Sequence, residues 1–226
     1  MKLTNETLTV LKNFASINQG IQFKKGKKIK TMSQGKSVMA EANVKDEFPE
    51  DFCVYDLNEF LLVYNLFKDS PDLSFDSINI NFKSGKRSTK YRMTDKGQIV
   101  IPPEKQLTMP EPEIKFTLSA EDYDWVMRAA SVLSSPQVAI ESDGSKINIV
   151  TLDLANDSAH TDALEIGNGN GNKYRMIFKT ENISKILSGG YDVFISSKGI
   201  SNFKHKTQPL QYWITTEQGS KFEKAD

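Results

Sequence analysis

The same order of predicted elements occurs twice in this chain, about 120 residues apart. Each half opens with an amphipathic helix, continues through short strands to a second helix, and closes with a strand; the closing segments YRMT at 91–94 and YWIT at 212–215 are similar. The predicted pairs are residues 4–16 and 119–133 for the first helix, 57–67 and 180–187 for the second, and 87–94 and 210–216 for the closing strand. A period this long indicates duplicated domains, because solenoid repeats run at roughly 20 to 50 residues.

A proline-rich stretch separates the two halves. It contains Pro102, Pro103, Pro110 and Pro112, and proline lacks the amide donor that a central strand requires. We therefore predict an N-terminal domain over residues 1–94, an interdomain connector over 95–112 and a C-terminal domain over 113–226. The predicted fold class is α+β, with two helices packed on antiparallel sheets in each domain.

Composition excludes several classes of protein. The chain has 38% hydrophobic and 26% charged residues, and no apolar run approaches the ~20 residues that cross a bilayer. The polar start after Met1 has no apolar signal-peptide region, so we expect an intracellular protein with no membrane role. Cys53 is the single cysteine, which excludes a disulfide framework and a thiolate zinc site within one chain.

The charge balance limits how the chain meets nucleic acid. Lysine plus arginine and aspartate plus glutamate both number 29, so any phosphate contact must come from local segregation of charge. Four lysines surround Gly26 in a predicted hairpin, which fits either a solvated turn or a loop that touches DNA. His160 and His205 are isolated and show no metal-ligand spacing, and we predict no cofactor, no metal site and no catalytic residue.

Short segments of this sequence resemble the sliding clamps of T-even-type bacteriophages. The segments are MKL at 1–3, LKNFA at 11–15, AEAN at 40–43, YDLN at 55–58 and AED at 120–122. The resemblance implies a DNA-clamp fold and a homotrimeric ring with helices lining the hole. Such a ring encircles double-stranded DNA without sequence preference and tethers the replicative DNA polymerase. It implies loading by a clamp-loader ATPase, action in the cytoplasm of the infected bacterium, and a second role with transcription factors in late viral transcription.

The implied DNA contacts come from basic residues on helix faces. Lys12 and Arg128 project from the polar sides of the two opening helices, and Lys179 and Lys185 are assigned to the fourth helix. A charged helix face is more often simply solvated, which is the alternative interpretation. Asp124 lies four residues before Arg128, and we expect an ion pair that weakens its field.

The implied subunit and partner interfaces involve two other regions. The ring is expected to close by pairing the strand at 87–94 with a neighbour's strand near 160–166, because unpaired edges are templates for another chain. The interface residues are Arg87, Lys90, Tyr91, Met93, Thr161, Ala163 and Leu164. A partner-binding site is expected beside the connector at Val100, Ile101, Leu107 and Met109. The alternative is that these four residues pin the connector to the sheet.

Two other classes of function remain open on the sequence. A phage structural β-rich protein would also be duplicated and trimeric. An enzyme would need a convergent polar site that the sequence does not contain.

Overall fold

The computed structural model describes residues 1–105 and 107–225. The chain divides into two compact units, Met1–Lys105 and Gln106–Asp226. This division falls inside the stretch predicted as the connector, whose bounds at 95 and 112 stay a prediction. No helix in the described part of the chain is long and apolar enough to cross a membrane.

The first unit contains two helices and seven strands. In chain order they are α1 (Asn5–Ile17), β1 (Ile21–Phe23), β2 (Gly26–Met32), β3 (Val38–Phe48), β4 (Phe52–Val54), α2 (Leu57–Asn65), β5 (Asp72–Phe75), β6 (Asn79–Ser84) and β7 (Arg87–Arg92). They form one antiparallel sheet ordered β4-β1-β2-β3 and a second ordered β5-β6-β7. A short 3₁₀ helix, Lys96–Gln98, follows β7.

Helix α1 begins where a side chain caps it. The Thr4 hydroxyl accepts a hydrogen bond from the Thr7 amide at 3.3 Å, which satisfies one of the free donors at a helix start. Val10, Leu11 and Phe14 form a buried stripe, and this stripe packs on β2 and β3. Helix α2 begins in the same way, with the Asp56 carboxylate accepting from the Glu59 amide at 3.0 Å.

The described residues of the second unit, 107–225, form two helices and nine strands. They are β8 (Ile114–Leu118), α3 (Ala120–Val132), β9 (Gln137–Asp143), β10 (Lys146–Leu152), β11 (Asp162–Asn168), β12 (Lys173–Lys179), α4 (Thr180–Ile183), β13 (Tyr191–Ser196), β14 (Ile200–His205), β15 (Leu210–Thr215) and β16 (Lys221–Glu223). Within this unit the strands follow the orders β11-β10-β9-β12-β16 and β8-β13-β14-β15.

The predicted duplication is confirmed by the strand orders. The sheet β4-β1-β2-β3 of the first unit has the same connectivity as β12-β9-β10-β11 of the second, and β5-β6-β7 corresponds to β13-β14-β15. Even the place of β8 beside β13 has a counterpart, because Met1 exchanges two backbone hydrogen bonds with Leu73 on β5. The antiparallel α+β fold class is therefore as predicted.

The fourth helix is shorter than predicted. Helix α4 has four residues instead of the eight from 180 to 187, because Lys185 and Ile186 turn to bond three residues back, to Asn182 and Ile183. Such tight bonds end an α-helix in a 3₁₀-like turn. The prediction that Lys179 and Lys185 belong to this helix is wrong, since Lys179 is its N-cap and Lys185 lies beyond its end.

Candidate nucleic-acid and subunit interfaces

Lys12 and Arg128 are the two basic residues that lie on helices as predicted. Both are exposed, on the sides of α1 and α3 away from the buried stripes. Among the described residues, no carboxylate lies within 4.0 Å of either cationic group. Each therefore presents an uncompensated positive charge to solvent.

The predicted ion pair between Asp124 and Arg128 is wrong. Asp124 instead accepts a hydrogen bond from the Ser188 hydroxyl at 2.7 Å. An exposed helical ion pair contributes only about 0.2 to 0.5 kcal/mol, so a well-aligned hydroxyl competes for the carboxylate. The Arg128 guanidinium is therefore not engaged in an ion pair with this carboxylate.

Lys179 and Lys185 have acidic neighbours. The Lys179 ammonium lies 4.0 Å from a Glu217 carboxylate oxygen. Lys185 lies 3.0 Å from Glu181 with a side chain only 22% exposed, and this hydrogen bond lowers the pKa of the Glu181 carboxyl. These two lysines therefore present weaker positive fields than Lys12 and Arg128.

Strand β7 lies at the end of its sheet and is basic. Among the described residues, it pairs only with β6, so its other side has free backbone groups. Arg87, Lys90 and Arg92 are exposed along it, whereas Tyr91 is 8% exposed. The Tyr91 hydroxyl donates to the Asp56 carbonyl at 2.9 Å, and burial raises its pKa to about 12. Met93 lies just after the strand, half-buried.

Strand β11 lies at the end of the sheet β11-β10-β9-β12-β16 of the second unit and is acidic. It pairs only with β10 in the described part of the chain. Thr161 precedes the strand and is exposed, as is Ala163, while Leu164 is half-buried. Asp162 and Glu165 supply the negative charge, and Glu165 lies 2.7 Å from Lys146 of the neighbouring strand.

Exposed apolar side chains lie on, or just after, the two helices that contact the edge strands, and the sequence-based predictions did not include them. Leu62 is 67% and Leu66 68% exposed, on and just after α2, which contacts β7. Trp125 is 50% and Val132 82% exposed, on α3, which contacts β11. One sequence signal was available for α2, since consecutive apolar residues at 60–63 exceed what one buried helix stripe accommodates.

The predicted partner-binding residues lie in both units. In the first unit, the Asn18 amide donates to the Val100 carbonyl at 2.9 Å, and a Cβ added to Gly20 would come within 2.5 Å of Ile99. The backbone after β7 is thus held against its own unit. Val100 also lines a cavity of about 250 Å³ with Tyr55, which is 56% exposed.

The remaining three predicted partner-binding residues are half-buried. Ile101 lies in the first unit, and Leu107 and Met109 lie in the second. None of them is among the core residues, so each retains some surface for contact.

Comparisons with known proteins agree with this architecture. The family model of the DNA polymerase processivity factor matches residues 4–101. The sliding clamp of Vibrio phage KVP40 is 31% identical over 96% of this chain and 99% of its own, and that of Escherichia phage RB69 is 31% identical over 97% and 98%.

A solved structure with little sequence similarity has the same fold. It is the PCNA of A. fulgidus with the C-terminal region of FEN-1 bound, which is 17% identical at a TM-score of 0.69 and covers 97% of this chain and 98% of that one. The predicted resemblance is confirmed by the phage relatives, which match nearly the full length. The chain therefore belongs to the phage sliding clamps, a family of DNA polymerase processivity factors.

Proposed function

We propose that this chain is a non-catalytic clamp that closes as a homotrimeric ring around double-stranded DNA and tethers the replicative polymerase. The observation that carries the proposal is the pair of edge strands, basic β7 and acidic β11, in a chain of this family. Enclosure retains the protein topologically, so a net charge of zero and weak individual phosphate contacts suffice.

The ring closes by joining β7 of one copy to β11 of the next. This contact is heterologous, because two different edges meet. A heterologous contact forms a closed ring when the rotation from one copy to the next is a whole-number fraction of a full turn. Arg87, Lys90 and Arg92 then face Asp162 and Glu165. Tyr91 and Met93 on one side, and Thr161, Ala163 and Leu164 on the other, lie within the paired segments.

Apolar contacts add affinity to this closure. Leu62 and Leu66 beside β7 and Trp125 and Val132 beside β11 are exposed in the single chain. Large exposed apolar side chains next to an edge strand are typical of an interface. Burying them against a neighbouring copy removes them from water.

DNA is attracted through the helices. Lys12 and Arg128 form the principal phosphate contacts, and Lys179 and Lys185 assist them. A protein that slides must attract phosphates and avoid base contacts that would fix it at one sequence. Uncompensated charges on rigid helix faces meet that requirement.

Protein partners bind beside the connector. Val100, Ile101, Leu107 and Met109 anchor a tail of the polymerase or of the clamp-loader ATPase, which opens the ring. The structure of A. fulgidus PCNA has a C-terminal region of a partner bound, which supports this mode of docking. We extend the proposal to late-transcription factors, all acting in the cytoplasm of the infected bacterium.

Retention on DNA tests the proposal against the alternative of a phage structural protein. The purified chain is loaded onto nicked circular DNA with the clamp loader of its own phage and ATP. A clamp stays bound to the circle at a salt concentration that strips non-specific binders, and a structural protein does not.

A further inference from the structure

A pocket in the first unit is lined by four lysines of the β1–β2 hairpin. They are Lys24, Lys25, Lys28 and Lys30, and the segment Pro102, Pro103 and Glu104 forms the other side. The pocket has a volume of about 290 Å³. The hairpin itself is as predicted, with Phe23 paired to Ile29 and Gly26 at a φ of 115°.

The carboxylates around this pocket leave part of its positive charge uncompensated. Lys28 and Lys30 share one carboxylate, that of Glu41, at 3.2 and 3.3 Å. Glu41 is 6% exposed, so its position is fixed. Lys25 has no carboxylate within 4.0 Å of its ammonium among the described residues. The contact between Lys25 and Asp51 is made by the backbone amide of Lys25, which donates to the Asp51 carboxylate at 2.7 Å.

The segment after β7 already places one carboxylate, that of Glu104, in a weak ion pair beside the pocket. Glu104 lies 3.6 Å from the Lys24 ammonium with a side chain that is 76% exposed. An ion pair this exposed contributes little to stability and is readily exchanged. Lys24 has a second and closer partner in Asp51, at 3.1 Å. The Lys24 ammonium therefore stays paired when Glu104 is displaced.

The pocket opens on the side of the sheet away from α1. Side chains alternate between the two faces of a strand. On β2, Ile29 and Thr31 are buried on the face that α1 covers, which places Lys28 and Lys30 on the opposite face. The proposed function assigns the α1 face to DNA, so an anion bound by these lysines is not the enclosed duplex.

We propose that this pocket binds an extended acidic segment of a protein partner. One carboxylate of the segment binds the free Lys25 ammonium, and a second takes the place of Glu104 at Lys24. The partner's backbone then lies against Pro102 and Pro103. The choice of a protein partner rests on the proposed function. The lysines alone would bind an acidic peptide or a nucleic acid, and the peptide is favoured because the proposed function places DNA on the opposite face, beside the helices.

Fluorescence anisotropy on the purified full chain, without DNA or loader, tests this proposal. The probe is a fluorescein-labelled peptide of sequence Gly-Glu-Leu-Asp-Leu-Gly at low salt, and the control peptide has glutamine and asparagine in place of the two acids. We expect Lys25→Ala to weaken binding of the acidic peptide by about two- to fivefold, as for one exposed charge pair. Glu104→Gln is expected to strengthen binding by a similar factor, because it removes the internal competitor.

Two matched variants separate a built site from general attraction to a basic hairpin. Lys27→Ala removes the same charge from the same hairpin, but Lys27 does not line the pocket, and we expect it to change binding less than Lys25→Ala. Asp69→Asn removes an exposed negative charge after α2 and is expected to leave binding unchanged, in contrast to Glu104→Gln.

Three outcomes would overturn the proposal. They are equal losses for Lys25→Ala and Lys27→Ala, equal binding of the acidic and amide peptides, and displacement of the peptide by a short oligonucleotide whose own binding depends on Lys25. The last result would assign the pocket to nucleic acid. Retention of the protein on nicked circular DNA is measured separately. If retention is absent but the acidic peptide still binds, the proposed ring is contradicted and the proposed peptide pocket is not.

Discussion

At the scale of single residues, we expect nearby carboxylates to decide which of the basic side chains attract phosphate most strongly. Lys12 and Arg128 have none within 4.0 Å in the described part of the chain, whereas Lys185 lies 3.0 Å from Glu181. Helical periodicity was sufficient to predict that Lys12 and Arg128 face away from the core. It was not sufficient for Asp124, because its hydrogen-bond partner Ser188 is 64 residues distant.

Alanine substitution should rank these residues. We expect Lys12→Ala with Arg128→Ala to lower retention on circular DNA more than Lys179→Ala with Lys185→Ala, because the second pair is already partly neutralised. Each lost phosphate contact should flatten the dependence of log affinity on log salt by about 0.9. Lys198→Ala, in the exposed β13–β14 turn, is the control. Identical losses for the two pairs would contradict the ranking.

Met109 tests the partner-binding residues. Met109→Asp places a charge on a half-buried apolar position, and we expect it to abolish clamp-stimulated DNA synthesis while the assembled mass stays unchanged. Thr108→Asp adds the same charge at the exposed neighbouring residue and should retain stimulation. Normal processive synthesis by the Met109 variant would show that the polymerase docks elsewhere on the ring.

At the scale of elements, the two edge strands form the subunit interface in our account. The sequence predicted both strands, since runs of alternating or β-branched residues indicate β structure. It did not predict their neighbouring helices as part of the interface, because exposure of Leu62 or Val132 depends on how each helix packs. The short strand β16 was also missed, since Lys221–Glu223 has three residues, too few to show alternation.

Reversing one charge on each edge tests the pairing of β7 with β11. Lys90→Glu and Glu165→Lys are each expected to weaken assembly by about 0.2 to 1 kcal/mol per interface, as for exposed ion pairs. Combining both substitutions in one chain should restore part of the lost assembly, because each interface again joins opposite charges. Sedimentation velocity over a dilution series measures the effect, and single variants that assemble like the unaltered chain would count against these edges.

The exposed apolar residues give a stronger test of the same interface. Leu62→Glu changes a side chain that is 67% exposed in the single chain, so the fold should be preserved. Burying an unpaired charge in an interface is costly, and we expect the trimer to dissociate at concentrations where the unaltered chain remains assembled. Thr9→Glu on α1, the helix that packs on β2 and β3, is the control. A Leu62 variant that stays trimeric would exclude α2 from the interface.

At the scale of the whole molecule, we expect a closed ring of three copies. Light scattering should give three times the 25.5 kDa of one chain, or 76.5 kDa. A stable monomer or dimer throughout the micromolar range would contradict the ring. A trimeric mass alone would not separate a clamp from a structural protein, because we expect a trimer in either case.

Retention on circular DNA before and after linearisation tests the ring around DNA most directly. The protein is loaded onto a nicked circle, freed of unbound chains, and the DNA is cut once with a restriction enzyme. A ring held by topology slides off the new ends, so we predict stable retention on the circle and rapid loss after the cut. Equal retention on circular and linear DNA, or no retention on either, would contradict the account.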